Sequence, residues 1–151
     1  MAIEAIKNFL LLPNGIATAG QPTEEQFRDI ARAKYVQVIN LGLLDPRYCL
    51  QDEAGLAESL GLTYKHIPVD FQNPLQSDVQ TFFAHMDTIA TQPTLVHCAA
   101  NYRVTTFVGL YSQLRWGWSR EQADRLITTW WQPNEVWTAF IAQVRQNLRL
   151  A

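Results

Sequence analysis

Hydrophobic and polar residues alternate along the chain in blocks that indicate strands separated by amphipathic helices. Near-continuous apolar runs over 16–20, 35–41, 63–69 and 94–97 are typical of strands inside a parallel sheet. Apolar residues at helical spacing lie between these runs, and the chain after residue 103 reads as helical throughout. The pattern predicts an α/β fold with a mostly parallel central sheet flanked by helices and a C-terminal helical half.

Several helix starts are marked by side chains that can cap the free N–H groups of a first turn. Thr23, Ser77 and Ser119 each stand three residues before a glutamine, which is the spacing of a capping box. Asn134 precedes the last apolar periodic segment and can cap it alone. We therefore predict a helix after each of these four residues. Residues 1–12 are expected to form a short amphipathic piece.

Composition and charge limit what the protein can be. The chain has 151 residues, 48% of them hydrophobic and 17% charged, which predicts one folded globular domain over 1–151. The net charge of −2 offers no general basic field for nucleic acid or an anionic membrane, so neither is expected as a partner. No apolar run approaches the roughly 18–20 residues of a spanning helix. The first eight residues do not resemble a secretory signal, and two cysteines make no disulfide framework, so a cytoplasmic location is expected.

The strongest candidate for chemistry lies in the stretch 94–106, where a predicted strand passes into a predicted helix. Cys98 stands at that junction, and backbone N–H groups at a helix N-terminus favour a thiolate and can hold an anion beside it. Arg103, five residues later, can supply a planar two-pronged donor for phosphate or a similar oxyanion. A thiolate beside such a cradle suits covalent catalysis on phosphate esters.

The arrangement His97-Cys98, four residues, then Arg103 resembles the active-site loop of cysteine-dependent phosphatases of the protein tyrosine and dual-specificity class, and most closely their small bacterial relatives. The usual signature has five intervening residues and a Ser or Thr after the arginine, whereas this chain has four and then Val104. The resemblance covers the order of elements over about residues 16–145. It implies a dual-specificity-type phosphatase fold and catalysis through a phosphocysteine on Cys98, with no cofactor.

The same resemblance assigns roles to the residues between the cysteine and the arginine. It implies that the loop Ala99, Ala100, Asn101 and Tyr102 cradles a phosphate together with Arg103. The loop lacks the glycines found in relatives, but asparagine tolerates left-handed backbone angles, so Asn101 can replace one of them.

A phosphate ester also needs a proton donor for its leaving oxygen. In the family this acid is an aspartate on the loop after the preceding strand, and Asp70 occupies the corresponding loop here. The alternative is that Asp70 only caps its own backbone. Asp78 is a weaker candidate, because it fits the first turn of a helix.

Other residues are predicted to support the site. His97 is expected to orient the loop through hydrogen bonds, unless it is only a hydrogen-bonded core histidine. The resemblance makes Thr105, rather than Thr106, the candidate to replace the hydroxyl that follows the family arginine. Some relatives place a second cysteine near the nucleophile, which makes Cys49 a candidate redox partner of Cys98, although an idle thiol is the first expectation. Arg47 is a candidate for the pocket rim. No cysteine or histidine pair has zinc-ligand spacing, so no metal is expected.

Three functions remain open at this stage. The leading one is a phosphate-monoester hydrolase acting on a phosphorylated protein or a small phosphate ester. The second is a rhodanese-like sulfurtransferase with a persulfide on Cys98, because a four-residue spacing also occurs there. The third is a non-catalytic phosphate-binding module, suggested by the short, glycine-poor loop. The substrate and the oligomeric state are left open.

Overall fold

The computed structural model describes residues 2–89 and 91–151 and shows the predicted α/β architecture. The prediction of one domain over 1–151 extends to Met1 and Ala90, which lie outside the described residues. The described residues form five strands and six α-helices. The strands are β1 Leu10–Leu11, β2 Ile16–Ala19, β3 Gln37–Asn40, β4 Thr63–His66 and β5 Thr94–His97. The helices are α1 Glu24–Arg32, α2 Glu53–Ser59, α3 Gln76–Ile89, α4 Tyr102–Arg115, α5 Arg120–Ile127 and α6 Glu135–Asn147.

The five strands form a single sheet in the order β1-β2-β5-β3-β4, in which β1 alone runs antiparallel to its neighbour. Strand β5 therefore lies between β2 and β3, and His97 at its end pairs with Ala19 on one side and Asn40 on the other. Ligands of such sheets bind beyond the carboxyl ends of the strands, which is where the segment after His97 begins.

The N-terminal segment differs from the prediction of one amphipathic piece over 1–12. A single 3-10 turn, Ala2–Ala5, is followed by β1, which pairs with β2 through Leu10 and Leu11. A two-residue edge strand is stabilised by its partner rather than by its own sequence, so no local pattern could indicate it.

The core lies on both faces of the sheet. Phe27 and Ile30 of α1 fill one face, and Phe82, Phe107 and Trp137 fill the other, all of them fully buried. Burying one large side chain of this kind stabilises the fold by about 1.5–3 kcal/mol. Helix α4 runs through the second layer, where it contacts α3, α5, α6 and β2, and residues 103–112 are all buried. The helix that follows the candidate cysteine is thus held on every side.

Most of the predicted helix starts are confirmed. Thr23 and Ser119 each form a capping box with the glutamine three residues later, and the Asn134 side chain accepts a hydrogen bond from the N–H of Trp137. The predicted box at Ser77 is wrong, because α3 already begins one residue earlier.

At this helix start the N–H of Leu75 donates to Oδ2 of Asp78 over 3.0 Å. Asp78 is the third residue of α3, so its carboxylate binds the N–H of the residue that precedes the helix, and Ser77 lies within the first turn. No helix in the described part of the chain is long and apolar enough to cross a membrane.

Candidate active site

Cys98 lies directly after the central strand and borders a cavity of about 230 Å³. Its N–H points toward the carbonyl of Ala19 on β2, at 3.3 Å, and only 1% of the residue is exposed. The sheet therefore fixes the start of the loop. The cavity is lined by Phe71, Cys98, Ala99, Ala100, Tyr102 and Arg103.

Two carbonyl groups of the loop are held by hydrogen bonds from residues earlier in the chain. The carbonyl of Ala99 accepts from the N–H of Gln21 at 3.0 Å, and the carbonyl of Ala100 accepts from Nδ2 of Asn8 at 2.9 Å. A trans peptide sets each carbonyl and the following N–H on opposite sides. These two bonds consequently direct the N–H groups of Ala100 and Asn101 away from Gln21 and Asn8, as an anion cradle requires.

Asn101 turns the chain from the loop into α4. Its backbone is left-handed, with φ 71° and ψ 8°, so it adopts the conformation predicted for a replacement of glycine. The side chain is fully buried, and its Nδ2 donates to the carbonyl of Asn8 at 2.8 Å and to Oγ1 of Thr18 at 3.0 Å. The short loop therefore keeps its shape through an anchored asparagine rather than through glycines.

Arg103 enters the cavity from the first turn of α4 and is 5% exposed. Its Nη1 donates to the carbonyl of Val69 at 2.8 Å. The guanidinium carbon lies 6.0 Å from the centre of the Tyr48 ring and 5.9 Å from that of Phe71. A cation at a helix N-terminus opposes the helix dipole, but these contacts fix its position at the cavity.

Aromatic side chains form one wall of the cavity. Tyr102 stacks on Trp131 with ring centres 5.0 Å apart and an angle of 1° between the planes. Phe71 packs against Trp131 and Trp137, and Nε1 of Trp137 donates to the carbonyl of Phe71 at 2.7 Å. The wall is consequently rigid and apolar, and it can contact a flat, apolar group attached to a phosphate.

Asp70 lies between Val69, which binds Arg103, and Phe71, which lines the cavity. Its side chain is exposed, and Oδ1 accepts from the N–H of Gln72 at 2.9 Å. Asp70 thus caps its own loop, and it is not among the residues lining the cavity.

The competing candidate, Asp78, is engaged with the start of its helix. Its carboxylate accepts from Leu75, and burial raises the pKa of Asp78 above its ordinary value.

His97 is fully buried and has a partner that the sequence pattern does not indicate, Glu53 in the first turn of α2. Nε2 of His97 lies 2.7 Å from Oε2 of Glu53, and Nδ1 lies 3.3 Å from the carbonyl oxygen of Cys98. Burial alone would raise the pKa of Glu53, but the hydrogen bond and charge of His97, with hydrogen bonds from Tyr64 and Gln21, outweigh burial and lower it.

Glu53 was missed because an acidic residue in a first helical turn looks like an ordinary helix start. Its distance of 44 positions from His97 along the chain leaves no local signal. Only an acidic residue at an otherwise buried helical position could have indicated it.

The structure does not bring Thr105 to the cavity. Its hydroxyl faces the carbonyls of Tyr102 at 3.3 Å and Ile127 at 3.4 Å, so it joins α4 to the end of α5. The hydroxyl of Thr106 likewise donates to the carbonyl of Tyr102. Neither threonine lines the cavity.

Cys49 and Arg47 lie on the loop between β3 and α2. Cys49 is half-buried and lines a different cavity, of about 370 Å³, with Leu44, Pro46, Leu50 and Gln51. The redox pairing of Cys49 with Cys98 stays a prediction. Arg47 is exposed and paired with Asp45. Within residues 2–89 and 91–151, no group of three or more histidine, cysteine or acidic side chains is arranged to hold a metal ion.

No protein-family model matches the chain, and no curated protein matches it. Among solved structures, the "Putative phosphatase (DUF442)" of Shewanella putrefaciens CN-32 is 32% identical, with 97% of this chain and 96% of that chain covered and a TM-score of 0.86.

Two more distant structures share the fold. A kinase associated phosphatase whose catalytic-site cysteine is replaced by serine is 13% identical, with 97% of this chain and 98% of that chain covered and a TM-score of 0.81. The core catalytic domain of the PP-IP phosphatase SIW14 from S. cerevisiae is 18% identical, with coverages of 95% and 90% and a TM-score of 0.72. The predicted phosphatase-type α/β fold is confirmed.

Proposed function

The chain belongs to the DUF442 phosphatase family, and we propose that it hydrolyses phosphate monoesters through covalent catalysis on Cys98. The observation that carries the proposal is the single cavity in which Cys98, the loop after it and Arg103 meet. A nucleophile beside an anion cradle and a guanidinium is the arrangement that phosphoryl transfer to sulfur requires.

In the first step the thiolate of Cys98 attacks phosphorus in line with the ester oxygen. A sulfur–phosphorus bond forms while the bond between phosphorus and the ester oxygen breaks. Asp70 gives its proton to the departing oxygen, so the alcohol leaves neutral. In the second step water attacks the phosphocysteine, Asp70 takes a proton from that water, and inorganic phosphate and the Cys98 thiolate are released.

Arg103 and the loop bind the phosphate oxygens throughout these steps. A guanidinium has five N–H donors, so the hydrogen bond from Nη1 to Val69 leaves a fork that can pair with two oxygens. The carbonyls of Ala99 and Ala100 are tied to Gln21 and Asn8, which supports the role of the loop N–H groups as further donors. These donors are set in place before the charge develops, and this lowers the barrier.

The assignment of Asp70 as the acid is supported by its neighbours in the chain. Val69 contacts Arg103, and Phe71 lines the cavity. Catalytic hydrogen bonds often tighten only in the complex with substrate, so the present hydrogen bond to Gln72 does not exclude Asp70. The carboxyl is exposed and can rotate toward the leaving oxygen.

The apolar wall of Phe71 and Tyr102 favours a substrate that carries a flat apolar group next to its phosphate. Arg103 is the one charged side chain lining the described cavity, which suits a single phosphate group. We therefore propose a phosphorylated protein or a small aryl phosphate as the substrate class.

The alternatives predict different chemistry. The sulfurtransferase hypothesis has only the four-residue spacing in its favour, and the three structures named above are all described as phosphatases. A sulfurtransferase would form thiocyanate from thiosulfate and cyanide. A non-catalytic module would bind phosphate without turnover.

The test is hydrolysis of an aryl phosphate by the wild-type protein, the Cys98→Ser variant and a matched Cys49→Ser control. Cys49 lies in a separate cavity, so its variant tests for general effects of removing a thiol. We expect phosphate release by the wild type and by Cys49→Ser, and none above background with Cys98→Ser. Full activity of Cys98→Ser, or thiocyanate formation without phosphate release by the wild type, would contradict the proposal.

A further inference from the structure

We propose that Trp137 is a positioning residue that fixes the backbone of the acid loop, residues 69–73, before a substrate binds. The inference deepens the proposed function and rests on it, because the acid loop matters for catalysis only if Asp70 is the acid. Two features carry it: a hydrogen bond from the indole of Trp137 to the residue after Asp70, and the packing that holds this indole in place.

Asp70 stands between two residues whose carbonyls are bound by side chains from other elements of the fold. The carbonyl of Val69 accepts from Nη1 of Arg103, in α4, at 2.8 Å. The carbonyl of Phe71 accepts from Nε1 of Trp137, in α6, at 2.7 Å. The backbone on each side of Asp70 is therefore attached to a helix outside the loop.

The hydrogen bonds of Asp70 itself stay within the acid loop. Its Oδ1 accepts from the N–H of Gln72 at 2.9 Å, and its carbonyl accepts from the N–H of Asn73 at 3.0 Å. These bonds shape the turn, whereas the bonds to Val69 and Phe71 set where the turn lies relative to the cavity. The location of the Asp70 carboxyl therefore depends on the donors from α4 and α6.

The indole of Trp137 is held independently of the acid loop. The residue is fully buried in the first turn of α6, and its backbone N–H donates to Oδ1 of Asn134 at 2.9 Å. The centre of its ring lies 6.2 Å from that of Phe107 in α4 and 5.4 Å from that of Phe140 in α6. A large ring in a close-packed interior has little freedom to change rotamer. Nε1 of Trp137 is consequently a donor whose position is set before any ligand arrives.

The side chain of Phe71 adds aromatic contacts to this hydrogen bond. The centre of its ring lies 5.6 Å from that of Trp137 and 5.5 Å from that of Trp131. Trp131 in turn stacks on Tyr102, the first residue of α4. The guanidinium carbon of Arg103 lies 5.9 Å from the centre of the Phe71 ring. One aromatic cluster thus joins the acid loop to the helix turn that presents the proposed phosphate ligand.

Trp131 and Trp137 allow the effect of the hydrogen bond to be separated from that of packing. Both indoles contact the ring of Phe71. Nε1 of Trp131 is buried but has no hydrogen-bond partner among residues 2–89 and 91–151, whereas Nε1 of Trp137 binds the acid loop. Replacement of either residue by phenylalanine removes the same atoms. Only Trp137→Phe takes the donor away from a backbone carbonyl, so that peptide must move to find another partner.

The first test measures kcat/KM of the wild type, Trp137→Phe and Trp131→Phe for aryl phosphates whose leaving groups differ in acidity. Displacement of the acid loop impairs protonation of the leaving oxygen but not the attack by Cys98. We expect Trp137→Phe to lose about ten- to a hundredfold for the poorest leaving group and much less for the best. Trp131→Phe, which alters only wall contacts, should change kcat/KM by the same factor for every ester. The same dependence on the leaving group in both variants, or a uniform loss in Trp137→Phe, would contradict the proposal.

The second test combines each tryptophan variant with Asp70→Asn. Because Trp137 is proposed to act through Asp70, its effect should disappear when the acid is removed. In the Asp70→Asn background, Trp137→Phe should therefore lower the rate for the poorest leaving group no more than Trp131→Phe does. A further loss as large as that seen with Asp70 present would show that Trp137 acts independently of the acid, and would overturn the inference. Circular dichroism checks the fold of every variant.

NMR of the wild-type protein decides the question if Trp137→Phe does not fold. The chain has five tryptophans, and we expect the indole proton of Trp137 to exchange with solvent more slowly than the other four. Relaxation dispersion should show no microsecond-to-millisecond motion of residues 69–73, with or without inorganic phosphate. Fast exchange of the Trp137 indole proton, or loop motion that phosphate suppresses, would overturn the inference.

The outcomes distinguish this inference from the proposed function. The NMR measurements need no turnover, so a fixed acid loop in a protein that releases no phosphate would reject the proposed function and not the hydrogen bond that fixes the loop. An active wild type in which Trp137→Phe and Trp131→Phe behave alike across the esters would reject the role of Trp137 and leave the proposed function standing.

Discussion

The guanidinium of Arg103 and the backbone carbonyl of Val69 are joined by a hydrogen bond of 2.8 Å. This bond connects the first turn of α4 to the loop that carries Asp70, the residue after Val69. The proposed phosphate ligand and the proposed acid therefore lie on segments that touch. Because the carbonyl can accept from only part of the guanidinium fork, Arg103 is fixed in place and still has donors for a ligand.

This geometry predicts that Arg103→Lys cannot replace the arginine. A lysine ammonium cannot bond Val69 and at the same time present a planar pair of donors. We expect kcat/KM for an aryl phosphate to fall about a hundred- to a thousandfold. The measurement is steady-state kinetics with the exposed Arg125→Lys variant as the control. A loss of less than a few-fold in Arg103→Lys would remove the residue from phosphate binding.

Asp70→Asn is expected to lower the rate about a hundred- to ten-thousandfold for esters with a poor leaving group. For esters whose leaving group needs no proton, the rate of hydrolysis by Asp70→Asn should fall much less. The amide keeps an oxygen that can accept from Gln72, so the stability of the loop should hardly change.

The comparison uses a series of aryl phosphates with leaving groups of different acidity and Asp78→Asn as the competing variant. An equal loss of rate in Asp70→Asn for every ester of the series would argue against acid catalysis by Asp70. A larger effect in Asp78→Asn would transfer the role to that residue.

Gly20→Ala is predicted to distort the loop from the side opposite the cavity. A Cβ at this position would lie 2.7 Å from the carbonyl oxygen of Ala99 and 3.3 Å from Cα of Ala100. Both are backbone atoms, so the loop itself must shift, at a cost of about 1–3 kcal/mol. We expect weaker phosphate binding and lower activity, measured by calorimetry with inorganic phosphate and by kinetics.

The matched control is Gly117→Ala. Gly117 has φ +70°, so alanine is strained there by roughly 1–2 kcal/mol, but no atom lies within 4 Å of its Cβ. A similar loss of stability without loss of phosphate affinity is expected in the control. Identical phosphate affinities in the two variants would show that Gly20 has no specific effect on the loop.

The pKa of Glu53 predicts how stability depends on pH. Contacts with His97, Tyr64 and Gln21 outweigh burial and hold this pKa below the ordinary value of 4.5. A group whose pKa is lowered by folding stabilises the native state above the unfolded-state pKa, and this contribution is lost as the pH falls through the folded-state pKa. We expect the free energy of unfolding in urea to decrease as the pH falls below about 4.5.

Glu53→Gln should be less stable than the wild type near neutral pH. Its free energy of unfolding should decrease less than that of the wild type as the pH falls. The exposed Glu58→Gln variant should follow the wild-type curve. If the plots of unfolding free energy against pH are parallel for Glu53→Gln and the wild type, the Glu53 carboxylate does not ionise within the buried network.

Much of the fold could be predicted because local signals control it. The capping boxes at Thr23 and Ser119 and the strand Thr94–His97 are set by residues that are neighbours in sequence, and all three are confirmed. The left-handed turn at Asn101 follows in the same way from the backbone tolerance of asparagine. The junction that places Cys98 and Arg103 at one cavity is a consequence of these local features.

The features that were missed depend on contacts between distant parts of the chain. Strand β1 exists through its pairing with β2, and the pairing of Glu53 with His97 exists only because α2 lies against the end of β5. Thr105 illustrates the same point, since its hydroxyl faces the carbonyl of Ile127 in a helix contact that its sequence position does not reveal. Such side chains acquire their role through packing, which sequence spacing does not record.

Covalent catalysis on Cys98 is observed by mass spectrometry of the protein quenched in acid during turnover of an aryl phosphate. We expect a phosphoryl group on the peptide that contains Cys98, formed at a rate that supports turnover and absent in Cys98→Ser. Steady phosphate release with no phosphoryl group on that peptide, or with the group on another residue, would rule out a phosphocysteine at this position.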